Sequence, residues 1–232
     1  MAEHRHQQHT HQPEHQQHEH QHRRQPSHAS EAEFWDARYS ESDRIWSGNP
    51  NTVLVREVEG LPAGRALDLG CGEGADAVWL ARRGWQVTGT DISAVALERA
   101  AEHAREAGVA DRVQWERHDL GESFPAGEYD LVSACFLHSP GDMPRERILR
   151  SAAAAVAPGG VLLVVGHGGS APGHDSPHPD MDLPTPEKVL ADLELPEGAW
   201  EVLVCAEHAR TGAEAARPGP GFDNTLKVRR TA

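Results

Sequence analysis

The chain has 232 residues, of which 38% are apolar, and its formal net charge is −14. This length allows one α/β domain of ordinary size with an extension. The excess of acidic residues and the lack of a basic patch argue against nucleic acid as the main partner. The three cysteines have neither disulfide nor metal spacing, no apolar run could cross a membrane, and the polar N-terminus is unlike a signal peptide, so the sequence indicates a cytoplasmic protein.

Residues 1–28 differ from everything that follows. Nine histidines stand among glutamine and glutamate, and almost nothing is apolar. Such a segment cannot bury enough surface to offset its ordering entropy, which predicts a disordered tail before a domain at 29–232. Histidines one residue apart suit a transition metal such as nickel or copper, and a polar tail with incidental metal affinity is the alternative. The candidate ligands are His4, His6, His9, His11, His18, His20 and His22.

The folded part is predicted to begin near Glu33, where rare aromatic residues cluster, and a short helix should end at Val58. A predicted strand then starts at Arg65. It is followed by glycines at alternate positions, Gly70, Gly72 and Gly74. A helix follows at once, so these glycines form a tight turn at the carboxyl end of a strand. Glycines let a ligand approach the backbone closely, and the amides of a helix start favour electronegative groups. The turn is therefore predicted to hold a ligand.

The spacing of Gly70, Gly72 and Ala75, with Asp91 at 21 residues after Gly70, nominally fits the fingerprint of a dinucleotide site. Asp68 argues against that ligand because its carboxylate would lie close to a pyrophosphate and repel it. The same carboxylate would attract a cationic ligand such as S-adenosylmethionine. An oxidoreductase that uses a nicotinamide nucleotide remains the alternative.

Strands and helices alternate along the rest of the chain, and Pro158-Gly159-Gly160 are predicted to break a helix and start the fifth strand. This pattern predicts an α/β fold with a Rossmann-like, doubly wound, seven-stranded sheet that is mostly parallel and has an antiparallel C-terminal strand. Loops are predicted at 168–184 and 210–221. The later strands are predicted at 85–90, 112–117, 129–134, 161–165, 200–205 and 224–230.

The run Leu67-Asp68-Leu69-Gly70-Cys71-Gly72-Glu73-Gly74 strongly resembles the first motif of class I S-adenosylmethionine-dependent methyltransferases. The segments Trp35–Tyr39 and Trp46–Pro50 are similar to those of actinobacterial small-molecule methyltransferases, which are related to thiopurine S-methyltransferases and tellurite-resistance methyltransferases. The resemblance implies S-adenosyl-L-methionine as the cofactor and a small-molecule acceptor. The acidic charge and the lack of an apolar span argue against nucleic acid and membrane as partners.

A carboxylate at Asp91, where the second strand ends, suits the two hydroxyls of a ribose. The resemblance implies that Asp119 reaches the adenine amino group and that Leu120 lines the ring. Trp46 either covers the methionine end of the cofactor or packs the N-terminal helix onto the sheet. No metal site is expected in the domain. The full predicted cofactor set is Trp46, Asp68, Gly70, Cys71, Gly72, Glu73, Asp91, Ile92, Asp119, Leu120 and Cys135.

Two histidines follow strand ends on the acceptor side, and His138 and His167 are the candidate catalytic bases. A thiol, selenium or tellurium acceptor needs little activation, whereas an oxygen or nitrogen acceptor of a small metabolite usually needs a base. The subgroup resemblance favours the soft acceptor, and O- or N-methylation is the alternative. In a third interpretation the fold is only a scaffold for the histidine tail.

Overall fold

The computed structural model describes residues 30–168, 183–210 and 221–231. Seven strands form one sheet, and six helices accompany it within these ranges. The strands are β1 (Arg65–Leu69), β2 (Gln86–Asp91), β3 (Val113–Arg117), β4 (Tyr129–Cys135), β5 (Val156–His167), β6 (Trp200–Ala209) and β7 (Phe222–Arg230). The helices are α1 (Glu31–Ser40), α2 (Thr52–Val58), α3 (Ala75–Arg82), α4 (Ala94–Glu106), α5 (Arg145–Ala154) and α6 (Pro186–Asp192).

The strand order in the sheet is β3-β2-β1-β4-β5-β7-β6. Strands β1 to β5 pair in parallel, while β7 is antiparallel to both β5 and β6. The predicted fold class is therefore confirmed. The order reverses between β1 and β4, and open α/β sheets bind their ligands at the carboxyl ends of the strands beside such a switch point.

The core lies on both faces of the sheet, and β5 shows this directly. Val161, Leu163 and Val165 belong to a cluster that includes α2 and α3 residues, while Leu162 and Val164 belong to a second cluster that includes residues of α5 and α6. All five side chains are at most 3% exposed. An uninterrupted apolar run is what a central strand covered on both faces requires.

The predicted start of β5 at Val161 is wrong. The strand begins at Val156 and runs through the Pro-Gly-Gly segment, which forms an irregularity opposite β4: Tyr129 pairs with Val156, and Leu131 pairs with Val161. Gly159 has φ +80 there, a left-handed conformation that glycine adopts without strain. The segment thus bends a strand instead of separating it from α5, which ends at Ala154.

Helix starts are better predicted than strand ends. Ser93 Oγ accepts a hydrogen bond of 3.1 Å from the Ala96 amide, as an N-cap residue should. The last two strands are longer than predicted, because their antiparallel ladder continues to the pair Ala209–Phe222. The histidine tail and most of both predicted loops lie outside the described residues. In the described ranges no helix is long and apolar enough to span a bilayer.

Candidate active site

The glycine turn, defined as Gly70–Gly74, connects β1 to α3 at the switch point. Its three glycines all have positive φ, between 52° and 81°. A Cβ atom on Gly74 would lie 2.7 Å from the Trp115 ring, and one on Gly70 would lie 2.7 Å from Leu137. Only glycine fits both the conformation and the close contacts. The backbone of this turn therefore packs closely against the side chains of Trp115 and Leu137.

Asp91 joins the end of β2 to the glycine turn. Its Oδ2 accepts a hydrogen bond of 2.9 Å from the Gly72 amide, and its Oδ1 accepts one of 2.9 Å from the Ser93 amide. Burial raises the pKa of Asp91, although these two bonds oppose the rise. Each oxygen keeps lone-pair capacity for a further donor. The carboxylate is thus oriented by the backbone and suits a pair of hydroxyls, as the sequence predicts.

Asp68 lies beneath the turn and is 2% exposed. Its Oδ1 accepts a hydrogen bond of 3.0 Å from Ser133 Oγ, while its buried Oδ2 has no hydrogen-bond partner among the described residues. Burial and the nearby charge of Asp76 raise the pKa of Asp68 well above its usual range. A buried carboxylate oxygen without a donor is costly, and a cationic ligand would supply one. The residues present therefore fit a cofactor with a positively charged group.

Asp76 is a buried carboxylate beside the glycine turn that the sequence interpretation did not single out. Its two oxygens accept hydrogen bonds of 2.7 Å from the amide and from the side chain of Asn51, and burial raises its pKa despite them. With Asp68 and Asp91 it makes three buried carboxylates around one turn. The only sequence signal was an acidic residue in the first turn of a helix, which is common at any helix start.

Glu73, predicted to bind the cofactor, makes protein contacts in this structure. Its carboxylate accepts hydrogen bonds from the amides of Ile45 at 3.3 Å and Trp46 at 3.1 Å, and it forms a 3.0 Å ion pair with Arg99. The side chain is 3% exposed. Glu73 therefore fastens the segment before α2 onto the glycine turn.

Trp46 lies over the glycine turn through this attachment. Its indole Nε1 donates to Tyr39 Oη at 3.1 Å and would lie 3.4 Å from a Cβ on Gly72. The residue is 52% exposed, so it is not packed into the core. Trp46 thus contacts both the glycine turn and Tyr39 of α1, and its role as a cover over the cofactor stays a prediction.

The remaining predicted cofactor residues lie in the glycine turn and at the ends of β2, β3 and β4. Asp119 is exposed and accepts a 2.9 Å hydrogen bond from the Gly121 amide, while Leu120 packs against the second core cluster. Ile92 is partly buried directly after Asp91. Neither Cys71 nor Cys135 forms a disulfide. Burial raises the pKa of both thiols well above the usual range, and the nearby carboxylates raise it further. Both thiols are therefore protonated at neutral pH and unsuited to act as nucleophiles.

The two candidate bases, His138 and His167, lie together at the carboxyl ends of β4 and β5. Their rings stack with centroids 5.4 Å apart, and Phe136 packs 4.7 Å from His167. His167 Nδ1 lies 2.7 Å from Nη2 of Arg210, which also binds Asp223 at 2.7 Å. A guanidinium only donates, so Nδ1 accepts and Nε2 carries the ring proton. This tautomer suits a hydrogen-bond donor better than a base.

Comparison with known proteins agrees with this geometry. Residues 66–160 match the family model described as a methyltransferase domain. The chain is 31% identical over 140 residues to 2-heptyl-1-hydroxyquinolin-4(1H)-one methyltransferase of Mycobacteroides abscessus, covering 58% of this chain and 61% of that protein. It is 34% identical over 127 residues to ribosomal RNA small subunit methyltransferase C of Alcanivorax borkumensis, covering 50% of this chain and 37% of that protein.

A solved structure from work on the conversion of a disulfide bond into a thioacetal group during echinomycin biosynthesis superposes with a TM-score of 0.65. It is 23% identical and covers 86% of this chain and 91% of its own, which supports the fold alone. The chain spans less than two thirds of the length of the two curated relatives named above. The fold and the glycine turn agree with this match, in which residues 66–160 are similar to a methyltransferase domain.

Proposed function

We propose that this protein transfers a methyl group from S-adenosylmethionine to a small-molecule acceptor. The observation that carries the proposal is the set of buried carboxylates around the glycine turn, above all the Oδ2 atom of Asp68 without a donor. A cofactor with an ammonium group and a sulfonium would stabilise the ionised form of these groups, whereas a pyrophosphate would destabilise it further. The carboxylates therefore support the methyl donor over a nicotinamide nucleotide.

The bound cofactor supplies a methyl group on a positively charged sulfur, and the chain binds and orients it. Asp91 would accept from the ribose hydroxyls, Asp68 would bind the ammonium group, and Asp119 would reach the adenine amino group. Trp46 over the turn would exclude water, which strengthens electrostatic interactions in the site. The other residues proposed to contact the cofactor are Gly70, Cys71, Gly72, Glu73, Ile92, Leu120 and Cys135.

Small-molecule acceptors are supported by the names of two relatives, a hydroxyquinolinone methyltransferase and a ubiquinone biosynthesis O-methyltransferase. The ribosomal RNA methyltransferase makes RNA the second candidate class. Against RNA stands the charge of −14, because binding of a nucleic acid backbone depends on clustered lysine and arginine. We therefore propose a small acceptor for this chain.

The acceptor atom is proposed to be a soft one, in a thiol or in a selenium or tellurium compound. Nδ1 of His167 is bound to Arg210, which leaves His138 as the candidate base of this pair, and soft nucleophiles need little activation. The names of several relatives favour oxygen instead, among them a 27-O-demethylrifamycin methyltransferase. For an oxygen or nitrogen acceptor, His138 is the proposed base.

The test is the release of S-adenosylhomocysteine by the full chain with a panel of thiols, selenium and tellurium oxyanions after reduction, phenols, amines and an RNA hairpin. Turnover of a small molecule supports the proposal, and turnover confined to phenols or amines refutes the soft acceptor while keeping methyl transfer. Turnover of RNA alone would contradict the small-molecule class. Comparing His138→Ala with the wild type on thiols and phenols then tests whether His138 acts as a base. If it does, the variant should lower the rate with phenols and leave the rate with thiols unchanged.

A further inference from the structure

A small cavity opens beside His138, between the carboxyl end of β5, the start of β7 and helix α6. Its walls are apolar at Val164, Val189 and Leu226, and His138, Arg145 and Asn224 add polar atoms. Its volume is ≈ 10 Å³, which is room for about one water-sized group. The cavity lies on the side of the sheet end where the stacked histidines stand, away from the glycine turn of β1.

Asn224 is held in one orientation in this cavity. Its Nδ2 donates to the carbonyl oxygens of Pro184 at 2.9 Å and His167 at 3.4 Å. Two carbonyls accept only from an NH₂ group, so this network fixes which end of the amide is nitrogen. Oδ1 therefore points away from both carbonyls. It is buried and has no hydrogen-bond partner in the described part of the chain, and the residue is 5% exposed.

The sheet register explains why Asn224 faces an open space. Asn224 pairs with Gly166 across the β5–β7 ladder, so the two residues share a face of the sheet, and Gly166 has no side chain to fill it. A Cβ on Gly166 would lie 3.6 Å from Cε1 and Nε2 of His138. The His138 imidazole thus lies over the space left by Gly166, and Asn224 lines the same cavity.

We propose that Asn224 determines which acceptors this protein binds, by accepting a hydrogen bond from a hydroxyl or N–H group on the acceptor. The proposal rests on the proposed methyl transfer, because it assigns this end of the sheet to the acceptor. A buried acceptor without a partner is costly, and a ligand with a donor recovers that cost. The apolar walls and the size of the cavity select one small polar group attached to an apolar body. A resident water on Oδ1 is the competing occupant.

The experiment uses two pairs of probes in which methylation removes every hydroxyl donor: catechol with 1,2-dimethoxybenzene, and 2-mercaptoethanol with 2-methoxyethanethiol. Binding of each probe to the full chain saturated with S-adenosylhomocysteine is measured by ligand-observed NMR. The wild type should bind the hydroxyl member of each pair about tenfold more tightly, the effect expected for one hydrogen bond to a buried acceptor. Asn224→Leu keeps the size but removes Oδ1 together with the Nδ2 group that donates to Pro184 and His167, and it should bring the ratio close to one.

Thr225→Val is the matched control. Thr225 is the next residue of β7, is fully buried and also has a side-chain oxygen with no hydrogen-bond partner in the described ranges, but it pairs with Val165 and faces the other side of the sheet. Its probe ratio should equal that of the wild type. Should Asn224→Leu lose its thermal transition, the wild-type crystal structure with catechol decides instead, with a hydroxyl about 3 Å from Oδ1 as the expected result.

The proposal is overturned if a folded Asn224→Leu keeps the wild-type ratio, if the wild type does not discriminate within either pair, or if the crystal shows water on Oδ1 with catechol elsewhere. Failure of the wild type to bind S-adenosylhomocysteine would instead contradict the proposed function. In that case the probe ratios are measured on the protein without S-adenosylhomocysteine. Failure of the Asn224 proposal and failure of the proposed function therefore give different results.

Discussion

The burial of Asp68 is expected to lower the stability of the cofactor-free protein at neutral and higher pH. Burial and the neighbouring charge of Asp76 raise its pKa, so the folded protein holds a proton that the unfolded chain releases above about pH 4. Stability contributed by this proton is present at low pH and is lost as the pH rises through the raised pKa. The residue is therefore expected to serve ligand binding at a cost in stability.

We predict that Asp68→Asn raises the melting temperature of the cofactor-free protein at pH 8 and reduces its fall between pH 5 and pH 8, because the neutral amide needs no proton. The same variant should bind S-adenosylhomocysteine about fivefold to a hundredfold more weakly, since a charged partner of the ammonium group is lost. Scanning calorimetry across the pH range and titration calorimetry measure the two effects. The exposed Asp111→Asn is the control. Lower stability of Asp68→Asn at pH 8 would contradict the linkage.

Asp91 gives a second residue-scale prediction. Asp91→Ala should weaken cofactor binding by about 2–4 kcal/mol, because two hydroxyl contacts of about 1.5–3 kcal/mol each add imperfectly. The variant also frees the amides of Gly72 and Ser93, so part of the loss comes from a looser turn. Asp91→Asn, which keeps one acceptor oxygen, should fall between Ala and the wild type. Titration with S-adenosylhomocysteine measures all three proteins, and equal affinities would show that Asp91 is not in the site.

At the scale of elements, local signals in the sequence predicted the fold well. The glycine turn, the Ser93 cap and the apolar run of β5 depend on residues close together in the chain, and all were found as predicted. Contacts between distant segments were not predictable. Asp36 Oδ1 accepts from Ser93 Oγ at 2.6 Å across 57 residues, and Asp76 binds Asn51 across 25. The sequence on either side of an acidic residue does not identify a partner so far along the chain.

The same limit explains the error at β5. Proline and glycines usually end an element, and only the pairing of Tyr129 with Val156 shows that the strand continues through them. On the acceptor side, the sequence predicted both histidines at strand ends. It could not predict that Arg210 fixes the tautomer of His167, because the arginine follows β6, far along the chain.

The attachment of the segment around Trp46 to the turn supplies an element-scale prediction. Glu73→Ala removes the acceptor for two amides and leaves Arg99 without its buried partner, so it should lower the free energy of unfolding by about 2–3 kcal/mol. It should also weaken S-adenosylhomocysteine binding, because the cover over the turn is released. Glu201→Ala removes a surface ion pair with Arg229 and should change stability by less than about 0.5 kcal/mol. Urea unfolding compares the two, and a Glu73→Ala effect no larger than the control would contradict the attachment.

For the whole molecule, the histidine tail and the catalytic domain are proposed to act independently. Removing residues 1–28 should abolish most nickel or copper binding and leave methyl transfer within a few-fold of the full-length rate. Metal binding by the full chain should weaken as the pH falls through about 6.5, because protons compete for the imidazoles. Paired metal and acceptor titrations of both proteins measure this. A large loss of methyl transfer on truncation, or its abolition by a chelator, would show that the tail or a metal takes part in catalysis.

Three buried carboxylates around the glycine turn are proposed to select a cationic methyl donor over a nicotinamide dinucleotide. Titration calorimetry of the full chain with S-adenosylmethionine, S-adenosylhomocysteine, NAD and NADP measures this selectivity. We expect saturable binding of the first two, weakened in Asp91→Ala, and no binding of either dinucleotide. Binding of a dinucleotide without binding of S-adenosylhomocysteine would show that the carboxylates do not select the methyl donor.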